Sequence, residues 1–162
     1  MADASANGDA TPPEPTFEHV LDLDVVIDPP VEIGETGDGE RRIIPIAGGS
    51  VSGRLEGEIL PGGADYQRFR AERPSELVAK YAFETDDGAR VYVENEGIRV
   101  APREASERIR DGEPVDPDDV YFRSVPSFET ADPDLAWLAR SVFVATGVRQ
   151  PDGVRLAVYR VA

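Results

Sequence analysis

Four side chains able to donate, accept or move protons fall on the apolar face of neighbouring strand-like segments: Asp65, Gln67, Tyr81 and Asn95. In an extended chain successive side chains point to opposite faces. Over 64–70 this sets Asp65, Gln67 and Phe69 against Tyr66, Arg68 and Arg70. Over 77–85 it sets Leu77, Ala79, Tyr81 and Phe83 against Lys80 and Glu84. Over 90–96 it sets Val91, Val93 and Asn95 against Arg90, Tyr92, Glu94 and Glu96. A buried polar group costs free energy unless it is hydrogen-bonded. Several together make either a satisfied network or the polar floor of a small-molecule pocket. A carboxyl such as Asp65 in an apolar cavity can serve as general base or, kept protonated, as general acid.

The segment 119–129 divides into Val120, Phe122, Ser124, Pro126 and Phe128 on one face and Tyr121, Arg123, Val125, Ser127 and Glu129 on the other. The apolar set is expected inside unless Pro126 breaks the alternation. In that case Arg123 and Glu129 pair structurally near a rim; on an enzyme Glu129 would instead partner Asp65 and Arg123 clamp an anion, with Tyr121 a further binding candidate. Trp137, the only tryptophan, follows in a short helical stretch. Its size suits a core plug at a barrel end as well as a stacking surface for a ligand. The candidate set is therefore Asp65 and Glu129 for chemistry, and Gln67, Tyr81, Asn95, Tyr121, Arg123 and Trp137 for binding.

Other chemistries lack their residues. There is no cysteine, so thiolate nucleophiles, disulfides and Cys-based metal sites are excluded. The single histidine, His19, sits in the first apolar segment and reads as a partly exposed strand residue. No D-x-[DN]-x-[DN]-G calcium loop occurs, and neither a metal nor a cofactor is expected. The stretch GGSVSGRLEGEILPGGADYQ (48–67) holds six glycines. Gly48 and Gly53 have phosphate-loop spacing, but Arg54 and Leu55 stand where Lys and Ser/Thr are needed. Gly53 and Gly57 share a face with Val51, Leu55 and Ile59. They mark bulges that curve a wall, unfilled volume, or the close approach of another backbone.

The net charge is −15, and Lys80 is the only lysine among 17 basic residues. Such a surface repels nucleic acid and anionic membranes. An acidic, lysine-poor surface also suits a cytoplasm rich in salt, where screening relieves self-repulsion. A halophilic, cytoplasmic origin is the expectation, with an ordinary acidic protein from a GC-rich genome as the alternative. No secretory leader pattern or membrane-length apolar run is present in these 162 residues.

These residues need strands to position them. Residues 1–16 are small, acidic and proline-rich, and read as a disordered tail. Residues 17–162 read as one domain of about nine strands: 17–27, 41–49, 49–60, 64–72, 75–85, 89–101, 119–129, 140–148 and 153–162. Residues 31–40 read as a polar excursion, and Pro45 marks an edge strand or bulge. Asp86-Asp87-Gly88 gives a hairpin turn, 103–111 a short helix closed by Gly112, and Asp132-Pro133 a capped helical start. Short connections imply antiparallel neighbours, so a closed barrel or a two-sheet sandwich fits. Long strands in a meander favour the barrel.

RRIIPIAGGSVSGRLEGEILPGGADYQ, ETDDGARVYVENEGIR, YFRSVPSFETADPDLAWLARSVFVATGVR and VRLAVYRV, from about Arg41 to Val161, resemble the uncharacterised DUF3237/UPF0311 family. The resemblance implies an all-β, single antiparallel calycin- or lipocalin-like barrel of about 8–10 strands with one or two short helices. By motif it highlights Asp65, Tyr66, Asp87, Arg123, Phe128, Glu129 and Trp137. This chain has Tyr66 where the family more often has Trp, and Ala139 where Asn is frequent. The resemblance carries no established activity.

Three functions stay open: a barrel binding a small apolar or aromatic metabolite; a cofactor-independent isomerase, lyase, cyclase or hydrolase using Asp65; or a structural module pairing through edge strands as a homo-oligomer. A small-molecule partner is expected, without nucleic acid or membrane.

Overall fold

The computed structural model describes residue 8 and residues 10–162. Ten strands make up its walls: β1 (Phe17–Ile27), β2 (Val31–Thr36), β3 (Gly39–Gly53), β4 (Gly57–Ile59), β5 (Ala64–Phe69), β6 (Ser75–Thr85), β7 (Arg90–Val100), β8 (Tyr121–Thr130), β9 (Val142–Gln150) and β10 (Gly153–Val161). Helix α1 (Arg103–Arg110) and the 3-10 turns Pro117–Asp119 and Pro133–Leu138 join them. Neighbours pair antiparallel in the order β1-β10-β9-β8-β7-β6-β4-β3, and β3 pairs β1 in turn. That last ladder closes the sheet into a barrel and removes the sandwich alternative.

β4 and β5 fill the same gap between β3 and β6, one beyond the other. β2 continues the β1 side of β3. The interior is thus walled by eight staves, two of them made of two strands each. Among the described residues β2 alone pairs with a single strand.

Three local features differ from the sequence reading. Residues 31–36 form a strand, although Glu32 and Glu35 interrupt any apolar alternation. Their order comes from the partner strand, where Glu32 meets Arg42 at 2.9 Å. Residues 39–53 form one 15-residue strand rather than the ends of two. It bends rather than breaks near Gly49, whose φ of +137° brings the backbone close to the Asp24 carbonyl. Pro45 lies in an interior stave opposite Ala64, at the gap between β1 and β2 where a missing N–H breaks no ladder.

The glycines at 53 and 57 are places of close backbone approach. A Cβ at Gly57 would stand 2.2 Å from the Glu84 carbonyl oxygen, and one at Gly53 2.7 Å from that of Val20. Of the tail expected at 1–16, residues 1–7 and 9 lie outside the described residues, and 10–15 are exposed and outside any strand. No helix among the described residues is long and apolar enough to cross a membrane.

The interior divides along its length. Leu21, Leu23, Phe83, Val91, Phe128 and Phe143 pack one half, with Phe128 edge-to-face on Phe143 at 5.1 Å. Leu138 and Trp137, from the turn that Asp132 caps through the Asp134 N–H, pack against this half. Stepping along β6 and β7 away from Phe83 and Val91, the inward positions become Ala79 with Asn95, Leu77 with Gly97, and then Arg99.

Candidate functional site

In that second half the barrel encloses a cavity of about 40 Å³, enough for a few water-sized groups. Its polar lining comes from five strands: Asp65 and Gln67 from β5, Tyr81 from β6, Asn95 and Arg99 from β7, Ser124 from β8, and Arg149 from β9. Ile44, Ile46, Leu77, Phe122 and Leu156 complete it with apolar wall. Strand alternation places every one of these side chains, because residues two apart on a stave share a face.

The polar groups are undersatisfied. Gln67 donates from Nε2 to Asp65 Oδ2 at 2.8 Å. Asp65 Oδ1, Gln67 Oε1, Tyr81 OH, Asn95 Oδ1 and Ser124 Oγ are buried without a hydrogen-bond partner. Native domains leave few buried polar atoms without a protein, water or ligand partner, and these five converge on one small cavity. As a residue Asp65 is half-buried, but its Oδ1 is shut away from solvent.

Electrostatics follow from burial. Loss of solvation pushes the Asp65 carboxyl above its ordinary value, against the Gln67 hydrogen bond and the pull of Arg99 and Arg149. Burial, with the Asp65 charge adding to it, also raises the Tyr81 phenol. The Arg99 guanidinium is pushed down to about 10, mainly by burial, and remains a cation at neutral pH. Arg149 is lowered for the same reason. It is held by the Gly153 carbonyl at 3.0 Å.

Of the residues expected from the sequence, Asp65, Gln67, Tyr81 and Asn95 come together here. Tyr121, Arg123 and Glu129 do not, because Pro126 keeps the alternation of β8 and leaves all three on the outer face. Arg123 donates to the Phe122 carbonyl at 2.9 Å and lies 4.8 Å from the Tyr121 ring. Glu129 stands opposite Tyr92 across the β7–β8 ladder, well away from Asp65. Trp137 sits outside the cavity, edge-on to Phe143 at 6.0 Å with Arg54 stacked 4.0 Å from its ring centre. His19 is exposed and lies 3.0 Å from Asp22.

Arg99, Ser124 and Arg149 complete the set. Continuing the β7 alternation from Asn95 through Gly97 reaches Arg99, and that of β9 from Phe143 through Ala145 and Gly147 reaches Arg149. The signal was there, but arginine on an inward face contradicts ordinary burial preferences.

One wall position can be tested directly. A Cβ at Gly147 would stand 2.1 Å from the Phe122 ring, which lines the cavity. Gly147→Ala is expected to displace that ring and lower stability by about 1–3 kcal/mol. Chemical denaturation of the variant would check the effect.

The fold and cavity define a closed antiparallel β-barrel with an enclosed polar pocket in one half. The chain belongs to the family described as "Protein of unknown function (DUF3237)", whose profile matches residues 15–161. It is similar to a UPF0311 protein of Rhodopseudomonas palustris, 49% identical over 150 residues that cover 91% of this chain and 98% of the relative. The crystal structure of that bacterium's RPA1785, of unknown function, superposes with a TM-score of 0.89 at 47% identity, covering 93% of this chain and all of the other. A β-barrel-like protein of Acinetobacter baumannii gives 0.82 at 35% identity, covering 94% and 99%. An enzyme from Penicillium herquei gives 0.70 at 15% identity, covering 94% and 98%, and shares the fold alone.

Proposed function

We propose that the protein holds a small molecule in the polar half of its barrel. The observation that supports this reading is the group of five partnerless buried polar atoms around one cavity. A ligand offering both donors and acceptors would satisfy them, and the apolar wall would cover its carbon skeleton. Native mass spectrometry of the protein as purified tests it. A reproducible mass excess over the denatured chain is expected. Its absence, together with no compound from a metabolite panel shifting the melting temperature, would sink the reading.

A second reading, proton-transfer catalysis, is favoured by Asp65. A carboxyl raised by burial beside a phenol with no partner suits a general acid or base. The chemistry would be isomerisation, cyclisation, elimination or hydrolysis, with Asp65 accepting or giving the proton and Tyr81 bonding the substrate oxygen. Asp65→Asn would then abolish turnover while keeping binding.

The same variant has a sign that stability measurements can read. Because the folded-state value of Asp65 is raised, the protonated group favours folding, and that contribution is complete below the unfolded-chain value of 3.8. It is lost as pH rises through the folded value. Asparagine stays neutral, so the stability of Asp65→Asn relative to the parent is expected to climb across that window. Urea titrations at several pH values would show it, and a constant difference would contradict the burial of an ionisable carboxyl.

A further inference from the structure

The cavity's charges do not balance. Arg99 is 4% exposed, and among the described residues it has no hydrogen bond and no carboxylate within 4.0 Å. Arg149, half-buried, donates only to backbone carbonyls, with Asp152 a more distant counter-charge outside the cavity lining. Two further arginines at this end of the barrel are matched. Arg42 meets Glu32 at 2.9 Å and donates to the Arg110 carbonyl at 2.9 Å, and Arg110 pairs with Glu40. Within the cavity Asp65 is the one acidic side chain facing Arg99 and Arg149. The lining is therefore positive by one charge with Asp65 ionised and by two with it protonated. This occurs inside a protein whose net charge is −15. Buried charges are ordinarily paired, and an excess of like charge at low dielectric is expensive.

We infer that the ligand of this cavity is a small organic anion whose oxyanion sits between Arg99 and Arg149. This deepens the binding reading proposed above and rests on it. Guanidinium groups match carboxylate and other planar oxyanions by charge and donor geometry. The organic part follows from the walls, since Ile44, Ile46, Leu77, Phe122 and Leu156 offer nothing to a fully hydrated inorganic ion. Tyr81 and Ser124 hydroxyls, both partnerless, can donate to the anion's remaining lone pairs. Asp65, bonded to Gln67, marks the side to which a hydroxyl or amide of the ligand would turn.

Acetate, the isosteric neutral acetamide and inorganic phosphate form a discriminating set matched to the cavity's size. In low-salt buffer about 10 mM acetate is expected to raise the melting temperature by linkage. Acetamide is expected to bind about tenfold or more weakly, a difference of about 1.4 kcal/mol. Arg99→Gln and Arg149→Gln should each weaken acetate about tenfold while leaving acetamide unchanged, so that one misfolded variant does not decide the result. Equal binding of acetate and acetamide would leave a binding cavity but overturn its preference for anions. Phosphate binding as tightly as acetate would overturn the organic assignment. No response to acetate would also overturn the inference, whereas a neutral compound found bound by native mass spectrometry would still support the broader reading.

Discussion

Arg99→Met is expected to make the protein harder to unfold and unable to respond to acetate. Methionine keeps the length and much of the volume of the arginine stem while removing the buried cation. Replacing buried ionic groups by apolar ones of similar size is often stabilising by about 1–4 kcal/mol. Arg99 is a strong case, because the charge lies 4% exposed and far enough from Asp65 that no ion pair forms. Asp65 loses a nearby cation in the variant, so its carboxyl is raised further. Urea denaturation at pH 6 would measure the gain. A clear loss of stability would mean that Asp65 already compensates Arg99 across the cavity, and the excess positive charge would shrink to Arg149. A gain coupled to loss of binding is the usual mark of a group kept for function at the expense of stability.

Phe83→Ala is expected to have the largest destabilising effect, about 3–5 kcal/mol. Phe83 is fully buried and belongs to the apolar half with Leu21, Leu23, Val91 and Phe143. The void would be lined by close-packed aliphatic and aromatic groups held on staves of a closed sheet, which have little freedom to collapse inward. Because Phe83 does not line the cavity, acetate affinity of the folded variant should stay within about twofold. Chemical denaturation followed by Trp137 fluorescence, with a binding isotherm on the folded variant, checks both parts. A large affinity change would mean that the two halves of the interior are coupled through the shared strands.

Most of the barrel was legible because its strands bury one face and expose the other. β1, β5, β6, β7 and β8 carry that alternation openly, and the inward positions of Asp65, Gln67, Tyr81 and Asn95 followed from it. β2 escaped because both of its faces are largely exposed, so its composition carries no period. The length of β3 escaped because its glycines look like turns, whereas the chain uses Gly49 to bend within a continuous ladder. On β8 the doubt lay in Pro126, and the intact alternation turned Tyr121, Arg123 and Glu129 outward. Arg99 and Arg149 were hidden by the same rule that revealed the others, since a charged side chain inside a barrel is expected only where something binds it.

The β1–β10 ladder joins distant parts of the chain. Asp24 on β1 and Arg155 on β10, 131 positions apart, form an ion pair at 2.9 Å. Thr16 and Ala162 exchange backbone hydrogen bonds of 2.8 and 2.9 Å just beyond that pair of strands. On the ribosome β1 is made first, yet one of its edges and the apolar side chains of Leu21, Leu23 and Val25 must wait for β10 to emerge. For that interval the nascent chain exposes an unpaired strand edge, the kind of surface that chaperones hold and that aggregates form around. Closure is non-local, so refolding should be slow for a chain of this size. Glu18, Asp22 and Asp24 put negative charge along β1, and charge on an open strand disfavours its association with other chains.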